Sequence, residues 1–233
     1  MDMKGYSHAI ALSLTILLTG FLVGYAFHNI TGVNILRIFE VVEESLMFKM
    51  TEARVEVVQK AVETVVESRA VKVMEARPEL ETELKIFSTA MGIFFTNFTT
   101  CYGSALMPLV PLLYYKHVSP RFSKNPEKRG ASWRVYRYTI PLAPIIILWF
   151  NGFILYMIVS LAKTVFPFMP LEGAALIMLS SIGLRGFLNS DTPEGFEKSY
   201  EDFWRFAFHA TLLLLSSAFI ESLLLSEVIR FSW

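Results

Sequence analysis

Few side chains in this 233-residue chain combine chemical capacity with apolar surroundings, and they are the natural place to look for function. Asn97, Asn151, Glu172, Arg185, His209 and Glu221 all lie in or at the edge of long apolar stretches. Ionisable groups inside a membrane are costly, which makes each a functional candidate by default, although groups near helix ends often just reach the interface. Glu172 can line a polar pathway or hold a partner helix. It is equally well explained as a first-turn carboxylate at headgroup level, where the positive end of the helix dipole favours it. Arg185 reads as a boundary residue whose long stem carries its charge out to the headgroups. Asn97 and Asn151 sit deep in uncharged stretches, where amides commonly tie helices together. His209 and Glu221 are twelve residues apart on one expected helix, about 18 Å along its axis, too far to form one site by themselves.

What is missing narrows the chemistry further. No phosphate-binding glycine loop, His-Glu-x-x-His, cysteine pair or Gly-x-Ser-x-Gly occurs, so nothing in the motifs argues for nucleotide binding, metal chemistry or hydrolysis. No catalytic, cofactor-binding or metal-binding residue is therefore assigned, and an enzyme is the least supported class. The triplets at Asn29 and Asn97 match the glycosylation pattern, but one almost touches lipid and the other lies inside an expected span. The single cysteine, Cys101, excludes an intrachain disulfide.

These residues must be positioned by helices in lipid. Hydrophobic residues make up 54% of the chain and charged ones only 18%, too apolar a balance for an ordinary water-soluble domain of this size. Twenty-one basic residues balance 21 acidic ones, so net charge offers no argument for a nucleic-acid partner, and none is expected. Crossing the hydrocarbon takes about 20 apolar residues. Residues 9–27 qualify, with Gly20 and Gly24 spaced to let another helix approach closely. This stretch is read as a retained anchor, not a cleaved signal. Residues 86–115 contain no charge, with Pro108 and Pro111 expected to bend the second half. Residues 138–162 open with Pro141 and Pro144, where a helix start tolerates proline. Residues 203–225 are apolar apart from Arg205, His209 and Glu221. In 164–188, Glu172 and Arg185 bracket twelve uncharged residues, so the segment either spans with Arg185 at its boundary or re-enters on one side. Spanning is favoured, because Pro167 and Pro170 suit a break just before the helix.

Between the first two stretches, residues 28–85 carry 8 basic and 11 acidic residues, with no Gly or Pro from 33 to 77. Apolar positions at Ile35, Phe39, Val42, Leu46, Ala53, Val57, Ala61 and Val65 recur every three or four residues, the stripe of an amphipathic helix. Pro78 either ends this helix near Arg77 or begins a new one, which Glu79, Glu81 and Glu83 favour in its first turns. The loop 116–137 holds seven basic residues against one acid, which places it in the cytoplasm. The N-terminus and loop 189–202 are then inside, and segment 31–85 and the C-terminus outside. The expectation is an all-α, multi-pass bundle of about five spans. It divides into a tail and first span (1–30), an extramembrane amphipathic segment (31–85) and a transmembrane domain (86–233).

Three groups of residues resemble a known family. Ile93-Phe94-Phe95-Thr96-Asn97 is similar to an apolar-aromatic run ending in an Asn pair, with Phe98 in place of the second Asn. Asn151-Gly152 looks like an Asn-Gly signature in the next span. Pro167, Glu172 five residues on, and Gly183-Leu184-Arg185 resemble a Pro-His-Gly-x-x-Glu segment with a downstream Gly-Leu-Arg, with Phe168-Met169 replacing His-Gly. Together they resemble the stage II sporulation protein M family of multi-pass membrane proteins, across about residues 86–187. The resemblance implies a membrane-embedded scaffold or assembly partner in the cell membrane. The external 34–83 segment would then meet other membrane or envelope proteins or a second copy of the chain. The rival expectation is a transport or channel subunit, since broken helices and midplane polar groups are where transporters bind ions.

Overall fold

The computed structural model describes residues 3–33, 79–118, 120, 126–162 and 166–231, and among them every regular element is helical. The elements are α1 (Met3–Thr31), α2 (Glu79–Leu106), α3 (Leu109–Leu113), α4 (Pro126–Tyr136), α5 (Leu142–Ala162), α6 (Met169–Leu188), α7 (Pro193–Lys198) and α8 (Phe203–Phe231). A wide turn over Tyr114–Val118 follows α3, and a tight one over Arg137–Thr139 leads towards α5. Among the described residues, four stretches are long and apolar enough to cross a membrane: Tyr6–Thr31, Gly130–Ser160, Met169–Leu188 and Phe203–Leu224. The all-α architecture expected from the sequence is therefore present among the described residues, with helices long and apolar enough to span a membrane. The charged segment expected over 31–85 lies outside the described residues except at its ends.

Four such stretches stand where five spans were expected. α2 is helical from Glu79, the first described residue of this stretch, so the expectation at Pro78 lies outside the described residues. It holds its helix to Leu106, where Pro108, with no N–H to give, occupies the break before α3. Its Ser, Thr and Asn residues dilute the apolar character that the other four stretches keep.

Side-chain placement agrees with lipid as the solvent. Leu22 and Ile146 are 62% and 61% exposed, while Ser13, Ser88, Ser104, Ser180, Ser181, Ser217 and Ser222 are buried. Large apolar groups outside and small polar ones inside are the pattern of helices whose backbones approach closely in hydrocarbon. Each buried serine that donates does so to a helix carbonyl or to another side chain, as in Ser13 to Ala9 O at 2.9 Å and Ser180 to Ser104 Oγ at 2.9 Å.

Packing divides the chain into two compact units, one of residues 1–34, 100–164 and 173–210, the other of 35–99, 165–172 and 211–233. In the first, α1 lies against α5. A Cβ at Gly20 would fall 2.0 Å from the Trp149 carbonyl oxygen, and one at Gly152 would fall 2.0 Å from that of Leu17. Only glycine permits this approach. An aromatic cluster closes one end of this unit: Trp133 and Phe196 pack with Leu112 and Ile140, and Trp133 Nε1 donates to Ser190 O at 2.9 Å. In the second unit, Phe87 on α2 meets Phe219 on α8 at 6.1 Å between ring centres, and Ser222 donates to Ile86 O at 2.7 Å.

Candidate functional site

Two groups of polar side chains stand out, one in each unit. In the second unit Glu172 occupies the first turn of α6, the position its sequence context indicated. Its backbone N–H donates to Phe168 O at 3.1 Å, so the turn carrying Pro167 sets where the carboxylate starts. The side chain is half-buried. Asn97 Nδ2 on α2 donates to its Oε1, and Ser217 Oγ on α8 donates to the same oxygen at 3.0 Å. Ser217 also lies 3.3 Å from Phe168 O, so its one proton is shared between two acceptors. Three helical segments thus converge on one carboxylate oxygen. The arrangement can orient that carboxylate towards a cation or a proton carrier, and it can equally lock the three segments together.

In the first unit the centre is Arg185, in the last turn of α6. It does not reach outward as expected of a boundary arginine. It is only 9% exposed, because the Tyr6 ring lies 3.8 Å from the guanidinium carbon and Asp202 stands 3.7 Å from Nη1. Nη1 has one long contact with Ser199 O at 3.5 Å, and Nε finds no hydrogen-bond partner among the described residues. Tyr6 donates to Asp202 Oδ2 at 3.2 Å, so one carboxylate serves both. Beside them, a half-open cavity of about 670 Å³ has Arg185, Leu188, Asp191, Lys198, Glu201 and Asp202 among its lining residues.

The floor of that region is firmly built. Thr192 caps α7 by accepting from Gly195 N at 3.0 Å, with Pro193 at the first helical position. Tyr200 donates to Ala105 O at 2.8 Å, and burial pushes its phenol well above the usual tyrosine range. Two ion pairs join the basic loop to the acidic one: Lys116 to Glu197 at 2.6 Å and Arg137 to Asp191 at 2.7 Å.

The remaining sequence candidates do other work. Asn151 donates to Ile147 O of its own helix at 2.7 Å. Gly152 is the contact point with α1, and Gly183 packs under the Pro108 ring and the Ser104 carbonyl, where a Cβ would come within 2.9 and 3.0 Å. Pro167 stands exposed in the turn before α6. Sequence reasoning missed Ser217, Tyr6, Ser199 and Asp202. Only Asp202 carried a usable signal, an acid immediately before a helix start. No group of three His, Cys, Asp or Glu that could hold a metal ion occurs among the described residues.

Comparison with protein-family models, with curated proteins and with solved structures finds no match to the chain in any of the three. The functional reading accordingly starts from the geometry and the sequence pattern.

Proposed function

We propose that this protein is a non-catalytic, multi-pass scaffold or assembly partner in the cell membrane, of the stage II sporulation protein M type. The observation that carries the reading is the 34–83 stretch: acids and bases interleaved with an apolar stripe at helical spacing, set between two long helices. An amphipathic stripe of this kind binds a partner helix or a second copy through its apolar positions while its charges stay in water. The described polar groups around Glu172 support the same reading, since Asn97 and Ser217 hold helical segments together there. We assign α2 as a fifth span, with its Asn97 amide donating to Glu172 and the Thr96 and Thr99 hydroxyls bonded to carbonyls of their own helix. The ion pairs between loops 116–137 and 189–202 support α6 as a full crossing: were α6 re-entrant, α5 alone would separate the two loops. The test is to delete 34–83 in the full chain and identify what co-purifies. Loss of specific partners from a variant that still inserts is expected, and retention of all of them removes the proposal.

The second reading, a transport or channel subunit, is favoured by the carboxylate of Glu172 at the meeting point of three segments with an exposed proline turn beside it. It expects ion flux in liposomes that falls with Glu172→Gln. Flux unchanged by that substitution and by Asn151→Leu counts against it.

A further inference from the structure

The Arg185 cavity goes beyond either reading. A guanidinium offers five N–H donors. Buried to 9% exposure, Arg185 has a 3.5 Å contact with Ser199 O, a loose 3.7 Å pair with Asp202 and the Tyr6 ring stacked at 3.8 Å, with Nε unpartnered among the described residues. A buried arginine normally has its donors filled, because an under-bonded charge away from water is costly. Nε is sealed from the cavity and the Tyr6 ring covers one face of the guanidinium, which leaves the Nη groups as the donors that an acceptor in the cavity could fill, and a tetrahedral oxyanion suits them.

A bare anion does not suit the rest of the lining. Three carboxylates border the cavity, those of Asp191, Glu201 and Asp202. Asp191 is paired with Arg137, and Asp202 is shared by Arg185 and Tyr6. That leaves Lys198 and Glu201, both exposed and neither in an ion pair among the described residues, as one cation and one anion facing the same space. Counted with Arg137, the charges balance: Arg185, Lys198 and Arg137 against Asp191, Glu201 and Asp202. A ligand carrying both a phosphate and an ammonium meets each of these groups.

The position selects where such a ligand comes from. Arg185 lies in the last turn of one helix long and apolar enough to cross a membrane and Asp202 immediately precedes another, so the cavity lies at the ends of both. Leu188 at its rim is 49% exposed, and Trp204 lies just beyond Asp202 at 80%. An apolar rim with an aromatic at the interface is the setting of a lipid headgroup and the start of its chains. The volume falls inside the range of about 300–1,000 Å³ typical of small-molecule sites.

We infer that the cavity beside Arg185 binds a zwitterionic aminophosphate group, the headgroup of a phosphatidylethanolamine-type lipid, with the phosphate on Arg185 and Lys198 and the ammonium on Glu201. The full chain in neutral detergent is titrated with short-chain phosphatidylethanolamine, short-chain phosphatidylglycerol, free phosphoethanolamine and inorganic phosphate, and bound species are counted by native mass spectrometry. Losing a hydrogen bond to a charged group lowers affinity roughly tenfold or more. That is the drop expected for the phosphatidylethanolamine in Arg185→Lys and in Lys198→Ala. Glu201→Gln is expected to abolish the preference over phosphatidylglycerol. Because Lys198 and Glu201 are exposed, those two variants keep the test decisive even where Arg185→Lys fails to fold. Free phosphoethanolamine binding as tightly as the lipid assigns the same site to a soluble ligand, and much weaker binding assigns it to the bilayer. Equal retention of the two lipids, inorganic phosphate binding as tightly as either, or exposed-site variants that bind as the parent does would each overturn the inference.

Discussion

Glu172 Oε1 receives two donors, from Asn97 and Ser217, and this decides how substitutions there should behave. Glutamine keeps a carbonyl oxygen in the same place and can accept both, so Glu172→Gln should stay within about 1 kcal/mol of the parent. Leucine leaves an amide and a hydroxyl unmet in apolar surroundings, and Glu172→Leu should cost about 1–3 kcal/mol. Reversible unfolding in mixed micelles measures both; equal losses would mean that these bonds contribute nothing. Tyr200 makes a second prediction, about pH. Its phenol is raised by burial relative to an unfolded value of about 10. The folded state therefore holds the proton more tightly, and the stability this represents is intact below about pH 10 and drains away as pH climbs towards the folded value. Tyr200→Phe, which cannot ionise, should flatten that alkaline loss while giving up the bond to Ala105 O. Asn97 and Glu172 were visible in the sequence as polar groups in apolar runs, whereas Ser217 was not, since a serine on an apolar helix announces nothing. Arg185 was misjudged for a physical reason: the ring that covers it belongs to Tyr6, at the opposite end of the chain, and no local pattern encodes that meeting.

Helix packing was half legible. The spacing of Gly20 and Gly24 announces that some helix comes close, yet its identity needs a structure, which supplies α5 and shows Gly152 as the reciprocal contact. The helix starts near Pro141 and Pro170 followed from proline chemistry, as did the first-turn position of Glu172. The weakness of α2 as an apolar span did not follow from counting charges, because its uncharged Ser, Thr and Asn residues are invisible to that count. The α1–α5 crossing makes a sharp prediction. At Gly20 and Gly152 the nearest atoms are backbone carbonyl oxygens that cannot swing aside, so Gly20→Ala and Gly152→Ala should each cost about 1–3 kcal/mol by forcing the helices apart. Gly103, where a Cβ meets only Ile147 Cδ1 at 3.9 Å, is the control. Gly103→Ala should be neutral or stabilising by up to about 1 kcal/mol, since alanine is the better helix former. Thermal midpoints in one detergent rank the three; a Gly103→Ala as damaging as the others would remove close packing as the cause.

For the whole molecule, the parity of crossings decides everything about sidedness. Two crossings by α5 and α6 would bring the chain back to the face it left, in agreement with the ion pairs between loops 116–137 and 189–202. Whether α2 crosses then fixes how that face relates to the 34–83 segment. If it does, five crossings put the segment on one side and both loops on the other, with the seven basic residues of 116–137 sharing the side of the N-terminus. If it does not, the segment and both loops share a side, opposite the N-terminus. Single cysteines distinguish the two outcomes. With Cys101 replaced by serine, Ser45→Cys and Glu194→Cys are labelled in sealed vesicles by a maleimide that does not cross lipid. Five crossings predict that only one of the two reacts from outside before the vesicles are opened. Labelling of both, or of neither, would leave α2 a helix that never traverses the bilayer, and would turn the proposed external docking segment to the same side as the loops.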